Sequence, residues 1–329
     1  MKPKNTGYKP ENDLKEDNRD IQYGSIETVD FGAIPETYLP DNPIPDYQGN
    51  RPFCVLHSVS YAMRLLYDKD YSEPFLAAIA EWKESGMPKP GEHYTITYGT
   101  SIKYGLWAAQ HYGACKESLY PPNNKDWKWL SDKNNIPPEA FNDAQANKIG
   151  LYSRIGQADW GNLSADEIMD AIYKWKGVII GMRGWYKGWY QKYSQPTQEG
   201  NTWYHAIILD GIVSKSNRIV RFKNWWDGTN KNVGNGRAWG YMELDKWLSH
   251  IAGAFVITKY DKPMKITESQ LVKLYQTVFH RQPDPAATGF VGQELEFVLD
   301  EFLKSEEFQH YDKVHRVVKE QIEQWARTS

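Results

Sequence analysis

The chain has 329 residues, 40% of them hydrophobic and 25% charged, proportions that exclude a disordered polymer and point to a packed core. The net charge of −3 sits at the ends: residues 1–33 carry 5 basic and 7 acidic side chains and residues 263–329 carry 8 and 11. The middle is close to neutral and holds no basic block, which argues against nucleic acid as a partner.

Two cysteines, Cys54 and Cys115, exclude a disulfide framework and a Cys-rich metal site. No CxxC or HExxH motif occurs, so neither metal nor cofactor is expected. The polar run after Met1 lacks the apolar core of a secretion signal, and no stretch is long and apolar enough to span a bilayer. Synthesis in the cytoplasm is the expectation, with release or carriage in a phage particle left to another route.

Residues 1–33 are polar, with isolated Ile21, Ile26 and Val29, and read either as an arm laid over a surface or as a disordered tail. Ile34-Pro35-Glu36 opens a core domain over 34–262. Pro45, Gly49, Asn50 and Pro52 are turn formers. After them Leu56, Val59, Met63 and Leu66 fall on one helical face, so a helix is predicted from Val55 to about Tyr67. Further helices are predicted at Phe75–Ser85, at Thr100–Tyr112 (closed by Gly113) and near Pro138–Lys148. Ile149–Ile155 reads as a strand. Ser164–Lys174 reads as a helix with Ser164 as N-cap and Glu167 three residues on.

From there the period becomes that of strands: Gly177–Met182, His205–Val213, Ile219–Trp225, Gly240–Glu243 and Ala254–Thr258. Helices first and strands later predict an α+β domain of two sub-lobes with a cleft between them. Pro263 marks a boundary. Glu268–His280, Leu295–Phe308 and Lys313–Trp325 then read as the helices of a small all-α module over 263–329.

Cys54 falls where turn formers give way to the first helix. The unpaired N–H groups and positive dipole of a helix start favour thiolate, the nucleophilic form; the alternative is a small buried hydrophobe. A thiol nucleophile needs an imidazole, a group to orient it, and donors for an oxyanion. Among the eight histidines, His205 begins an apolar strand and needs a partner there if buried. Asn224, on the next strand, can accept from its ring N–H, and Trp226 can cover that bond. His111, His250, His280, His310 and His315 read as solvated on helices, and His93 as part of a loop. His57 lacks neighbours that would make it a base, and Cys115 reads as structural.

Five segments in order resemble the papain family of cysteine peptidases, in its prokaryotic or phage form, over roughly residues 34–260. They are Ile34-Pro35-Glu36; Gln48 six residues before Cys54; Gly99-Thr100-Ser101 with Tyr112-Gly113-Ala114-Cys115 and Ser118-Leu119-Tyr120-Pro121; His205-Ala206; and Lys223-Asn224-Trp225-Trp226 with Gly240-Tyr241. The resemblance implies a two-lobe papain-like fold and a cysteine endopeptidase acting on a protein or peptide substrate through a thiolate–imidazolium pair and an acyl-enzyme. By the same token Cys54 is the nucleophile, His205 the base and acid, Asn224 the orienter and Gln48 an oxyanion donor. Gly99 and Thr100 would pair with substrate backbone, and Tyr204 and Trp226 would line the cleft.

Phe53, Tyr98 and Tyr204 depart from the family's smaller residues. His205 lies 151 residues after Cys54 and Asn224 170 after it, against a usual ~130–150. The aromatic stretch Gly184–Trp203 absorbs part of that excess, as a rim over the cleft or as a self-packed loop. The tail, with Leu274-Tyr275 through Arg281-Gln282-Pro283-Asp284 and Phe302-Leu303-Lys304-Ser305, is similar to a bacterial family of small helical modules of unknown function, which suggests docking on another protein or a cell surface. Two further readings stay open: a peptidoglycan or isopeptide amidase with the same triad, and a catalytically silent papain-like peptide binder.

Overall fold

The computed structural model describes residues 8–15, 21–23, 30–41, 48, 51–85, 99–122, 127–130, 133–157, 159–185, 189, 193–197, 202–225 and 239–259, with positions 272 and 291. The chain divides into two units, 1–260 and 261–329. The described residues of the second unit are Val272, which is helical as expected within Glu268–His280, and Val291; the rest of the three expected tail helices lies outside the described residues.

The apolar period read after Cys54 becomes helix α1 (Cys54–Tyr67), in which Cys54, Val55, Leu56, Val59 and Met63 have no solvent exposure. Asp68, in the left-handed region at φ 56°, closes it by donating its N–H to Arg64 O. Helix α2 (Glu73–Ser85) begins behind Ser72, whose hydroxyl accepts from Phe75 N–H at 3.1 Å. Helix α3 (Ile102–His111) begins behind Ser101 in the same way. It crosses α1 at Gly105, where a Cβ would lie 3.1 Å from Val55 and 3.2 Å from Val59; the missing side chain lets the two helices approach. The short helix α4 (Trp127–Leu130) and α5 (Pro138–Gln145) complete the helical lobe.

An open sheet of eight strands forms the other lobe: β1 (Ile21–Gln22), β2 (Ile149–Ile155), β3 (Val178–Trp185), β4 (Tyr193–Ser194), β5 (Thr202–Ser214), β6 (Ile219–Lys223), β7 (Trp239–Glu243) and β8 (Ile251–Lys259). Their spatial order is β1-β2-β8-β3-β5-β6-β7-β4. The outermost pair at each edge is parallel and the pairs between are antiparallel. Side chains alternate across it as the two-residue period requires. Ile179, Ala206 and Ile208 join the core of α1, α2 and α3. Val178, Ile180, Ile207 and Leu209 join a second core with α6 (Ala165–Trp175) and α7 (Leu244–Trp247).

Most boundaries fall within a few residues of expectation, and Ile149–Ile155 falls on its predicted ends. Three regions differ. β5 starts at Thr202, so His205 lies inside the ladder opposite Met182 and not at a strand mouth. β6 ends at Lys223, because the Asn224 side chain takes the N–H of Trp225 (2.9 Å) that a ladder bond would otherwise use.

The third difference is the N-terminal arm. Its Tyr8, Asp13 and Tyr23 are buried, and Ile21–Gln22 pairs with β2 as a parallel edge strand. The Tyr23 hydroxyl reaches Asp170 at 2.8 Å. A polar stretch is therefore built into the domain by a few aromatic and carboxylate anchors. In the Gly184–Trp203 stretch, Trp189 and Trp203 are buried against each other (ring centroids 4.8 Å apart), and Trp189 stacks on Phe222 at 4.9 Å. These two are core, as the self-packed reading has it; Trp185's side chain, Tyr186 and Tyr190 lie outside the described residues.

Candidate active site

The site forms where the start of α1 meets the β5–β6 edge. Cys54 is the first residue of α1, with Phe53 ahead of it accepting the N–H of His57 at 2.9 Å. Three backbone N–H groups lie against the sulfur, those of Ala206, Val55 and Cys54 itself. Ala206 follows His205 on β5, so the chain brings the sulfur beside the residue next to the imidazole. This closes the sequence gap of 151 residues between Cys54 and His205.

Asn224 fixes the state of the imidazole. Its Oδ1 lies 2.8 Å from His205 Nε2 and also 2.9 Å from the backbone N of Trp225. A backbone N–H only donates, so the atom facing Trp225 must be the amide oxygen. That same oxygen faces Nε2, which must therefore carry the ring proton. In the neutral imidazole Nδ1 is then the basic nitrogen. His205 and Asn224 are 0% and 3% exposed, so this pairing is shielded from competing water.

Trp225 ties the parts together. Its Nε1–H is shared between Ser58 Oγ (3.2 Å) and Ala206 O (3.0 Å), and Ser58 Oγ donates to Cys54 O at 2.9 Å. Its backbone oxygen accepts from Gln48 N–H at 3.0 Å. One buried residue thus links α1 and β5 through its ring and the Asn224 turn and the Gln48 loop through its backbone. Below it, Arg221 forms a bidentate pair with buried Asp210 (2.8 and 3.1 Å) and donates to Pro40 O (2.8 Å), stiffening the β5–β6 ladder that carries His205 and Asn224.

Gln48 is buried, and its Nε2 donates to Arg51 O at 2.9 Å. A carboxamide nitrogen has two hydrogens. The bond to Arg51 uses one and holds the amide; the second is available to an oxyanion. Gly99 has φ +81°, a value that favours glycine, and with Thr100 it is buried. Tyr204 stands at the surface, 38% exposed, near Trp160 (ring centroids 6.3 Å). Trp226 lies outside the described residues.

The expected pull of the helix start on Cys54 meets an opposing effect of burial in this arrangement. The neighbouring N–H groups do pull the thiol pKa down, but burial outweighs them and pushes it up to about 12. Cys115 is likewise buried, and its thiol is also raised to about 12, chiefly by burial.

Two histidines differ from expectation in their surroundings. His250 is buried, near Trp247 (6.0 Å), and not solvated. His57 lies 3.5 Å from Glu73 and stacks at 5.9 Å on Trp225; burial pushes its pKa down to about 3, so it stays neutral. Sequence reasoning missed the linking role of Trp225, which it placed inside a strand; β6 ends at Lys223 and the Trp225 ring is buried. Among the described residues no group of three or more His, Cys, Asp or Glu is placed to hold a metal, and no helix is long and apolar enough to cross a membrane.

An open antiparallel sheet flanked by a helical lobe, with a cysteine opening the helix that abuts a His–Asn pair, is the papain-like fold. Xylellain, a cysteine protease from Xylella fastidiosa, superposes with a TM-score of 0.60 at 21% identity, over 78% of this chain and 96% of that one. Procathepsin B S9 from Trypanosoma congolense does so with 0.55 at 10% identity, over 79% and 88%. Digestive procathepsin L2 from Tenebrio molitor larval midgut gives 0.52 at 17% identity, over 78% and 79%. No family model and no curated protein matches the chain.

Proposed function

We propose that the chain is a cysteine endopeptidase of the prokaryotic papain-like kind, with Cys54 as nucleophile, His205 as base and acid, Asn224 as orienter and Gln48 as oxyanion donor. The observation that carries this reading is the buried 2.8 Å contact between His205 and Asn224, whose geometry makes Nδ1 the basic nitrogen. The amide of the next residue, Ala206, lies on the sulfur of Cys54.

When a peptide carbonyl enters, the Cys54 proton passes to His205 Nδ1 and the sulfur bonds to the carbonyl carbon. The thiolate–imidazolium pair forms at this stage, with Asn224 Oδ1 accepting from the charged ring. The oxyanion takes hydrogen bonds from the second Nε2–H of Gln48 and from the backbone N–H of Cys54, which turns from the sulfur to the developing charge. Nδ1 then returns its proton to the departing amine, leaving a thioester. A water loses its proton to the same nitrogen, attacks the thioester and releases acid and thiol.

Gly99 and Thr100 offer backbone for pairing with the substrate, and Tyr204 stands on the rim. In this proposal the substrate is a protein or peptide, and the tail, on its sequence pattern alone, is a docking element for another protein or a cell surface. The test is turnover of fluorogenic peptides by the purified chain. Hydrolysis abolished by Cys54→Ala and by His205→Ala, with fold retained, supports the assignment. Hydrolysis of purified cell wall without peptide turnover would replace it with the amidase, and peptide binding without turnover would replace it with a silent binder.

A further inference from the structure

Helix α1 presents one face to the Asn224 turn. Cys54, His57, Ser58 and Tyr61 fall at i, i+3, i+4 and i+7, so they line a single side of the helix. The side that carries the sulfur is therefore the side that grips Trp225. Ser58 Oγ accepts its indole N–H at 3.2 Å, and the Tyr61 ring lies 5.4 Å away at a tilt of 55°. The His57 ring packs nearly parallel to the indole, at 5.9 Å and 22°. Trp225 follows Asn224 in the chain, and its backbone N–H bonds to the Asn224 oxygen that holds His205.

His57 is itself held from behind. Its Nδ1 lies 3.5 Å from Oε1 of Glu73, the first residue of α2, and both side chains are buried. Ser60 Oγ lies 3.2 Å from the same oxygen and 3.0 Å from Tyr71 O. Burial and the nearby Arg51 guanidinium keep the His57 imidazole neutral, so it does not compete with His205 for the Cys54 proton. An imidazole here joins a flat face for the indole to a polar edge for Glu73, and the edge contact fixes the tilt of the face.

We propose that His57 is a positioning residue: held by Glu73 and stacked on Trp225, it sets the Asn224 turn against the Cys54 face of α1 and so aims the His205 imidazole at the sulfur. It moves no proton and meets no substrate. The consequence for turnover rests on the peptidase reading; the consequence for the His205–Asn224 contact stands apart from it.

The test compares two substitutions in the full chain. His57→Leu removes the flat ring and His57→Phe keeps it. Both take the imidazole from Glu73, so urea unfolding is expected to show a loss of stability in both. The first readout is exchange with water of the His205 Nε2–H proton, followed by NMR of the isotope-labelled chain and identified by its loss in Asn224→Ala. Exchange is expected to speed up about 2- to 12-fold in His57→Leu, the range that an aromatic pair contributes, and to stay within about twofold of wild type in His57→Phe. His57→Met takes the place of His57→Leu if that chain does not fold.

The second readout is kcat on a fluorogenic peptide, in a cycle with Asn224→Ala. His57→Leu is expected to lower kcat about 2- to 12-fold with KM unchanged. In a chain that already carries Asn224→Ala it is expected to cost less than about twofold, because the contact it acts through is gone. Wild-type exchange and kcat in His57→Leu would overturn the proposal, as would equal losses in His57→Leu and His57→Phe, the outcome of a purely structural role. Full additivity of His57→Leu and Asn224→Ala would also overturn it. A chain that turns over no peptide counts against the peptidase reading, and the exchange readout then decides the role of His57 by itself.

Discussion

Asn224→Ala removes the contact on which the state of His205 depends. The side chain accepts from His205 Nε2–H at 2.8 Å and from Trp225 N–H at 2.9 Å, and both side chains of the first contact are buried. Leaving the buried ring N–H unpaired costs about 1–3 kcal/mol. The upper part of that range applies in the transition state, because the ring becomes charged and a charge-assisted bond is lost. At about 1.36 kcal/mol per decade this is a fall in kcat of roughly 5- to 150-fold.

The stranded Trp225 N–H adds about 1 kcal/mol to the loss of folding stability. KM should move by no more than about twofold, since the carboxamide does not hold the peptide. Steady-state kinetics on a fluorogenic peptide, with thermal melts of the same samples, separates the two effects. A folded Asn224→Ala chain with unchanged kcat, or one whose loss lies wholly in KM, would refute the reasoning.

Four further outcomes follow from the same geometry. Gln48→Ala is expected to lower kcat about 10²- to 10³-fold by removing an oxyanion donor; a harmless substitution would show that the second Nε2–H does not serve that purpose. Trp225→Phe keeps the ring between His57 and Tyr61 but loses its donor to Ser58 and Ala206, so urea unfolding should show a loss of about 1–3 kcal/mol, and unchanged stability would contradict the linking role. Gly113→Ala forces a side chain into φ +78° against Ala144 O and should destabilise by about 1–3 kcal/mol; a neutral effect would mean that this turn relaxes freely.

The fourth concerns pH. Burial raises the Asp13 carboxyl from 3.8 to about 6, with Tyr8 and Arg154 as the ionisable groups facing it. A pKa raised by folding means that the folded state prefers the protonated form, so this contribution to stability is present below pH 3.8 and is lost as pH rises to about 6. The stability of wild type relative to Asp13→Asn should therefore fall across pH 4–6, by at most about 1.4 kcal/mol per unit, and level off above, as read by urea unfolding. A difference that is flat or rises with pH would contradict this linkage.

Periodicity carried the fold a long way. The α1 face of Leu56, Val59 and Met63, the alternation of β3 and β5, and the Ser164 cap all follow from local chemistry, and the boundaries land within a few residues. Residue type and order singled out Cys54, His205 and Asn224, and the family resemblance added Gln48; the structure brings His205 to Asn224 and the N–H of Ala206 to the sulfur of Cys54. What escaped was settled by distant partners. The ionisation of Cys54 depends on how thoroughly it is buried, which no local window contains. The arm looked peripheral because its composition is polar, yet Tyr8 and Asp13 are placed by Thr100, Gly181 and the start of α3, some 90 to 170 residues away. The inward turn of Trp225 follows from the end of β6 at Lys223, which the apolar pattern around it does not mark.

The central claim is that Cys54, His205 and Asn224 form one catalytic unit, and covalent capture tests it most directly. A peptide epoxide incubated with the purified chain, followed by mapping of the modified residue, should place the adduct on the sulfur of Cys54. Capture should slow strongly in His205→Ala and moderately in Asn224→Ala. An adduct on Cys115, or capture at Cys54 at the same rate with and without His205, would contradict the account.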